Sequence, residues 1–203
     1  MGKDRVIITI GRQYGSGGLE IGRRLAKAFN IDIYDKELLT LAAKQSGFNE
    51  DVLKENDEKH NGSFLYSLVM GTYTGGDNLP LNHKLFLAQF DTIKKLAEEK
   101  SCVIIGRCAD YALEYNPNCL KVFIHADIDT RIRRAIDEYG VNPDKVEEII
   151  KKIDKQRENY YNFYTGKKWG SMGNYDITLN STYAGIDGSV KVIENLIREK
   201  MSI

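Results

Sequence analysis

Cysteine, histidine and net charge are all in short supply in this chain, and each shortage closes a class of function. There are three cysteines, Cys102, Cys108 and Cys119, with no CxxC among them. An odd, scattered set excludes a disulfide framework and a zinc ribbon. The three histidines, His60, His83 and His125, lie far apart and form no HExxH, so no metal site is expected from them. Lys plus Arg equals Asp plus Glu at 29 each, a net charge of zero. A general nucleic-acid or membrane-surface binder needs a cationic surplus, so neither partner is expected; a local arginine cluster stays open. No apolar run approaches the roughly 20 residues of a membrane span. Residues 1–5 are polar, the apolar stretch 6–10 is too short for a signal-peptide core, and Val6 stands where a myristoylation motif wants Ser or Thr. The expected compartment is the cytoplasm. Oligomeric state is left open.

What is present is a regular alternation. The 203 residues suit one domain, and an apolar content of 42% suffices for a core. "RVIITI" (5–10) reads as a buried parallel strand, and "LEIGRRLAKAF" (19–29) as an amphipathic helix. Further strands are expected at 31–34, 102–106, 120–126 and 175–180. Helices are expected at 36–45, 84–99, 130–140 and 188–201, with a long one running from an Asn142 cap and Pro143 to about Tyr164. Residues 49–83 are irregular and read as an insertion. Five strands alternating with helices predict a three-layer α/β/α fold with a parallel sheet.

The chemistry starts at "ITIGRQYGSGGLE". Gly11, Gly15, Gly17 and Gly18 lie between a strand and a helix, where backbone N–H groups and the helix end can cradle a phosphate. Such loops ordinarily carry a lysine and then a Ser or Thr; this one has Gly18 and, two residues on, Glu20. The loop alone therefore supports two readings equally, a phosphate cradle or a tight strand-to-helix turn.

Arginines tilt the balance. Arg107 follows the strand in "VIIGR", at the sheet edge where open α/β folds bind ligands, although a surface ion pair explains it equally. Arg131 and Arg134 share a helix face, the ordinary mark of a solvated face. Arg157 lies on the apolar stripe Val146, Ile149, Ile150, Ile153, Tyr160, Tyr161 and Tyr164, with Asp154 three residues before it. A buried Arg–Asp pair is one account; an arginine kept inward to meet phosphate is the other, and it is favoured because several arginines and a glycine loop suit one ligand.

In order along the chain, "ITIGRQYGSGGLEIG", "IYDKELL", "VIIGR", "VFIHAD" with "RIRR", "DKQR", "YYNFYTGKKWG" and "NYDITLNST" resemble the cytidylate kinase-like family, a branch of the P-loop nucleoside monophosphate kinases, over about residues 5–198. The resemblance implies ATP and magnesium as cofactors and a nucleoside monophosphate, CMP or dCMP, as acceptor. It implies that Gly11, Arg12, Gly15, Ser16, Gly17, Gly18, Leu19 and Glu20 line the ATP phosphates. It implies that Arg131, Arg134 and Arg157 clamp the transferring group, and that Arg107, Asp35, Asp110 and Asp154 serve the acceptor, Asp154 by orienting an arginine, the sugar or the base. Residues 1–203 would be one domain, with 36–100 an acceptor-binding helical insertion and 127–170 a lid. The lysine's charge would come from Arg12 within the loop or from Lys167 or Lys168, the first preferred; Glu20 or Asp35 would reach magnesium through water. A same-fold kinase for another small acceptor and a non-catalytic nucleotide-binding protein are the competing readings.

Overall fold

A computed structural model of the chain describes residues 5–35, 38, 40–42 and 81–201. The expected insertion at 49–83 lies outside them except for its last three residues.

The elements are β1 (Ile7–Arg12), α1 (Gly18–Phe29), β2 (Asp32–Tyr34), α2 (Leu81–Glu99), β3 (Cys102–Ile105), α3 (Ala109–Ala112), β4 (Cys119–His125), α4 (Ile128–Asp137), α5 (Val146–Thr165), β5 (Ile177–Asn180) and α6 (Ser181–Met201). The five strands form one sheet in the order β2-β3-β1-β4-β5, all pairs parallel. Side chains alternate across it. Ile8 and Ile10 join Val103, Ile105, Val122 and Ile124 beneath Ile21 and Leu25 of α1 and Ile193 and Ile197 of α6. Ile7, Cys102 and Ile104 face the opposite way, onto Ile93, Leu96 and Ala97 of α2 and Ala109 and Ala112 of α3. The fold is therefore a three-layer α/β/α sandwich.

Close approach of α1 to the sheet depends on Gly22, where a Cβ would stand 2.7 Å from Ile105 Cδ1. β1 is the topological switch point: the chain moves out to β2, returns to β3 beside β1, then crosses to β4 on the other side. Ligands of open α/β sheets bind outside the carboxyl end of that strand.

Four local expectations are corrected. β1 continues two residues beyond 10, because Gly11 and Arg12 pair with Phe123 and Ile124 of β4. Arg12 is thus the last strand residue and not a loop residue. The last helix begins at Ser181 and not 188, with a break at Gly185 (φ 66°, ψ 177°). The long helix begins at Val146 after a 3-10 turn over Pro143–Lys145, whose Asn142 cap accepts from Asp144 N at 2.9 Å. Helix α3 had no expectation at all: four residues are too few for a hydrophobic period to show.

Candidate active site

Residues 13–17 join β1 to α1 at the switch point. Gln13 N donates to Ile124 O (3.0 Å), and its side-chain Oε1 accepts from Ala126 N (3.2 Å). Ser16 folds its hydroxyl back onto Gln13 O (2.8 Å). Gly15 and Gly17 take left-handed conformations at φ 76° and 78°. A Cβ at Gly15 would stand 2.7 Å from the carbonyl oxygen of Arg131, so backbone shape and space both require glycine there.

The loop's carbonyls are committed to the elements around it. Arg12 O accepts from Arg157 Nη1 (3.0 Å), Tyr14 O from Arg131 Nε (2.7 Å), Gly15 O from Arg134 Nη1 (2.6 Å) and Ser16 O from Ser181 Oγ (2.6 Å). A trans peptide turns the next N–H to the opposite side. The Gly15 and Gly17 amides thus face away from those donors, while Ser16 N donates to Gln13 O within the loop (3.3 Å). A row of amides ahead of a helix N-terminus is an anion cradle. Three arginines from two helices meet at one loop.

Asp154 ties that assembly together. One carboxylate oxygen accepts from Tyr14 N at 2.8 Å, and the other pairs with Arg131. A pair with Arg157 on the same helix was the less favoured of two accounts in the sequence; Asp154 takes Arg131 of α4 instead. Arg157 rests beside the Tyr14 ring, 5.9 Å from its centroid. Burial lowers the Arg157 guanidinium from its ordinary range, opposed by Asp154 and Asp35.

Across the switch point, the turn after β3 places Gly106, Arg107 and Cys108 in successive left-handed conformations, at φ 68°, 58° and 54°. Two non-glycine residues in that region cost about 1 kcal/mol or more each. The turn is held by Gly106 N on Ile10 O (3.0 Å) and Ala109 N on Gly106 O (3.0 Å). It presents Arg107 at the sheet's carboxyl edge, with its Nη1 buried and, among the described residues, without a hydrogen-bond partner. A buried guanidinium N–H left unmade is costly and calls for an anion.

Arg12 lies between the two sides. Its guanidinium stands 3.5 Å from Asp35, at the end of β2. Burial first, then the neighbouring Arg157, pushes it down to about 9, with Asp35 opposing. Asp110 sits in α3, buried, accepting from Tyr161 Oη at 2.7 Å. Burial raises its carboxyl, and the Tyr161 bond partly offsets that.

Leu19 and Glu20 open α1. Glu20 is tied to Arg24 Nε at 2.8 Å on the exposed side of the helix. Lys167 Nζ pairs with Glu114 and lies over the Tyr111 ring, and Lys168 is exposed. Trp169 packs edge-on against Phe123. Tyr14, Gln13 and Ser181 were missed in the sequence. Their parts are played by backbone groups or by bonds across the fold, which no local pattern records.

A family model described as the cytidylate kinase-like family matches residues 7–183. The chain belongs to the cytidylate kinase-like family. A cytidylate kinase of Pyrococcus horikoshii is 23% identical over 202 residues, covering 97% of this chain and 91% of that protein. An uncharacterized protein from Eubacterium ventriosum superposes with a TM-score of 0.71 at 33% identity, over 95% of this chain and 98% of that one. A shikimate kinase from Bacteroides thetaiotaomicron shares the fold at a TM-score of 0.55 and 17% identity, covering 95% and 98%. Family membership and fold make this cytidylate kinase-like chain a nucleotide-kinase-type phosphotransferase. Among the described residues no helix is long and apolar enough to cross a membrane.

Proposed function

We propose that this cytidylate kinase-like protein moves the γ-phosphoryl group of ATP to a nucleoside monophosphate, CMP or dCMP by preference. The observation that carries the reading is the seating of Arg131, Arg134 and Arg157 on the carbonyls of the glycine loop. Each guanidinium has further N–H groups and stands beside a cradle built for phosphate. The name of the Pyrococcus relative supports the choice of acceptor.

In this mechanism the loop amides and the start of α1 hold the β- and γ-phosphates. Arg107, with its unpaired buried Nη1, holds the acceptor phosphate. An oxygen of that phosphate attacks the γ-phosphorus, and the bond to the β–γ bridging oxygen breaks, releasing ADP. The attacking oxygen is already anionic, so no side chain need take a proton. What the protein supplies is position and positive charge. Arg131, Arg134 and Arg157 neutralise the charge on the transferring group. Asp154 is a positioning residue that holds Arg131 and the Tyr14 amide. Residues 127–170 act as the lid; the span 36–100, expected to bind the acceptor, lies largely outside the described residues.

Among the described residues no cluster of three or more His, Cys, Asp or Glu could hold a metal. Glu20 is occupied by Arg24, and the Ser16 hydroxyl is buried against Gln13 O. This donor set does not fit a resident magnesium site. Magnesium enters with ATP as part of the substrate. The expected setting is the cytoplasm.

The test is ADP release from magnesium ATP with CMP, dCMP, UMP, AMP, GMP or no acceptor. Stimulation by CMP or dCMP that Arg107→Ala abolishes is the expected result. Stimulation by no nucleotide, with ATP still bound, overturns the reading in favour of another acceptor or a non-catalytic role.

A further inference from the structure

The loop's missing lysine raises a steric question as well as a chemical one. Gly18 opens α1 without a left-handed backbone, unlike Gly15 and Gly17. Its conformation therefore does not demand glycine. What excludes a side chain is Arg12: a Cβ at position 18 would stand 2.6 Å from Arg12 Cβ and 3.1 Å from its Cγ. Cβ is fixed by the strand, so that part of Arg12 cannot swing aside. At its other end Arg12 meets a second glycine, Gly106, where a Cβ would overlap the guanidinium Nη1. The side chain thus runs through a slot between two glycines. It starts against the helix that carries the phosphate loop and ends against the β3 turn that carries Arg107.

We propose that Arg12 is the cation that bridges the donor and acceptor phosphates, taking from the end of β1 the place that a lysine at position 18 would take from the start of α1. The proposal rests on the phosphotransferase reading above and names a further catalytic residue for it. Three observations carry it. With Arg12 in place, a side chain at position 18 would collide with its Cβ and Cγ, so the two positions compete for one space. The guanidinium lies at the junction of the two half-sites and is 20% exposed, within reach of a ligand. Around it gather Arg107, with its orphaned N–H, and Arg157, bonded to Arg12's own carbonyl, and the carboxylate of Asp35 stands at 3.5 Å. Among the described residues, Arg12, Arg107, Arg131 and Arg157 face two carboxylates, Asp35 and Asp154, which leaves positive charge that a phosphate offsets. Of the other cations the sequence offered, Lys167 is engaged by Glu114 and Lys168 is exposed.

The test compares Arg12→Ala, Arg12→Gly, Gly18→Lys and the Arg12→Gly/Gly18→Lys double variant in acceptor-dependent ADP release, with ATP affinity by calorimetry and melting temperature alongside. Arg12→Ala is expected to lose at least ~100-fold in turnover while still folded. Gly18→Lys alone is expected to be impaired by the clash. The double variant, which removes the position-12 Cβ and puts lysine in the emptied slot, is expected to regain at least ~10-fold over Arg12→Gly. Turnover of Arg12→Ala within ~3-fold of wild type overturns the proposal, as does a loss in Arg12→Gly that the double variant does not recover. If the wild type binds ATP but transfers to no nucleotide, the phosphotransferase reading fails, and ATP binding judges Arg12. A weakening of at least ~10-fold in Arg12→Ala supports its role as the phosphate cation, and equal affinity overturns it.

Discussion

Asp154 shows how much a single residue holds in this site. It joins the amide of Tyr14 to Arg131, whose side chain is 8% exposed. Removing it leaves a nearly buried guanidinium unpaired and frees the loop. Asp154→Ala is expected to lower stability by about 3 kcal/mol in urea denaturation and to reduce turnover. A double-mutant cycle with Arg131→Ala should return a coupling of about 1 kcal/mol or more. The spacing of Asp154 and Arg157 allowed a pair on one helix as an alternative to a phosphate-facing arginine. The actual partner is 23 residues away, and only the docking of α4 on α5 brings it near. Asp110 gives a pH test. Burial raises its carboxyl, so its contribution favours the fold below the ordinary carboxylate range and is lost as pH rises through the raised value. Asp110→Asn, which keeps an acceptor for Tyr161, is expected to be more stable than wild type at pH 7, with the difference shrinking toward pH 3–4. No gain at pH 7 would contradict the burial argument. The thiols are equally explicit. Cys102 and Cys119 are buried and pushed up to about 11 and about 12, and Cys108 is raised as well. In the native protein at pH 8 none should react with a disulfide reagent, and all three should react after unfolding.

At the scale of elements, pattern and structure agree where the core dictates the pattern. The short apolar run of β1, buried on both faces of the sheet, and the helical spacing in α1 and α2, each turned to one layer of core, were legible. Disagreement concentrates where partners across the fold set the ends. β1 gains Gly11 and Arg12 only because β4 runs on beside them. α6 starts early because Ser181 is captured by Ser16 O, and its break at Gly185 lets Ile186 lie over Gly17. The left-handed turn of Gly106–Cys108 had no signal beyond one glycine. Two glycines with different duties provide an element-scale test. Gly22→Ala pushes a methyl into Ile105 Cδ1 and is expected to cost about 1–3 kcal/mol of stability with ATP affinity little changed. Gly15→Ala strains the cradle and meets the α4 backbone, so ATP affinity should fall at least ~10-fold. The reverse pattern in calorimetry and urea melts would show that the loop is only a turn.

At the scale of the molecule, a chain with no net charge gathers Arg12, Arg107, Arg131, Arg134 and Arg157 at the carboxyl edge of one sheet. Composition hides this, because a net charge sums over the whole chain and records no clustering. The fold class was legible from the strand–helix alternation, and the family from seven segments in order. Direct transfer is the most searching measurement of the account: [γ-³²P]ATP incubated with CMP, products separated, with wild type and Arg107→Ala run side by side. The account predicts label in CDP from the wild type and its loss in the variant. Label released only as free phosphate, or carried by no nucleotide at all, would contradict it.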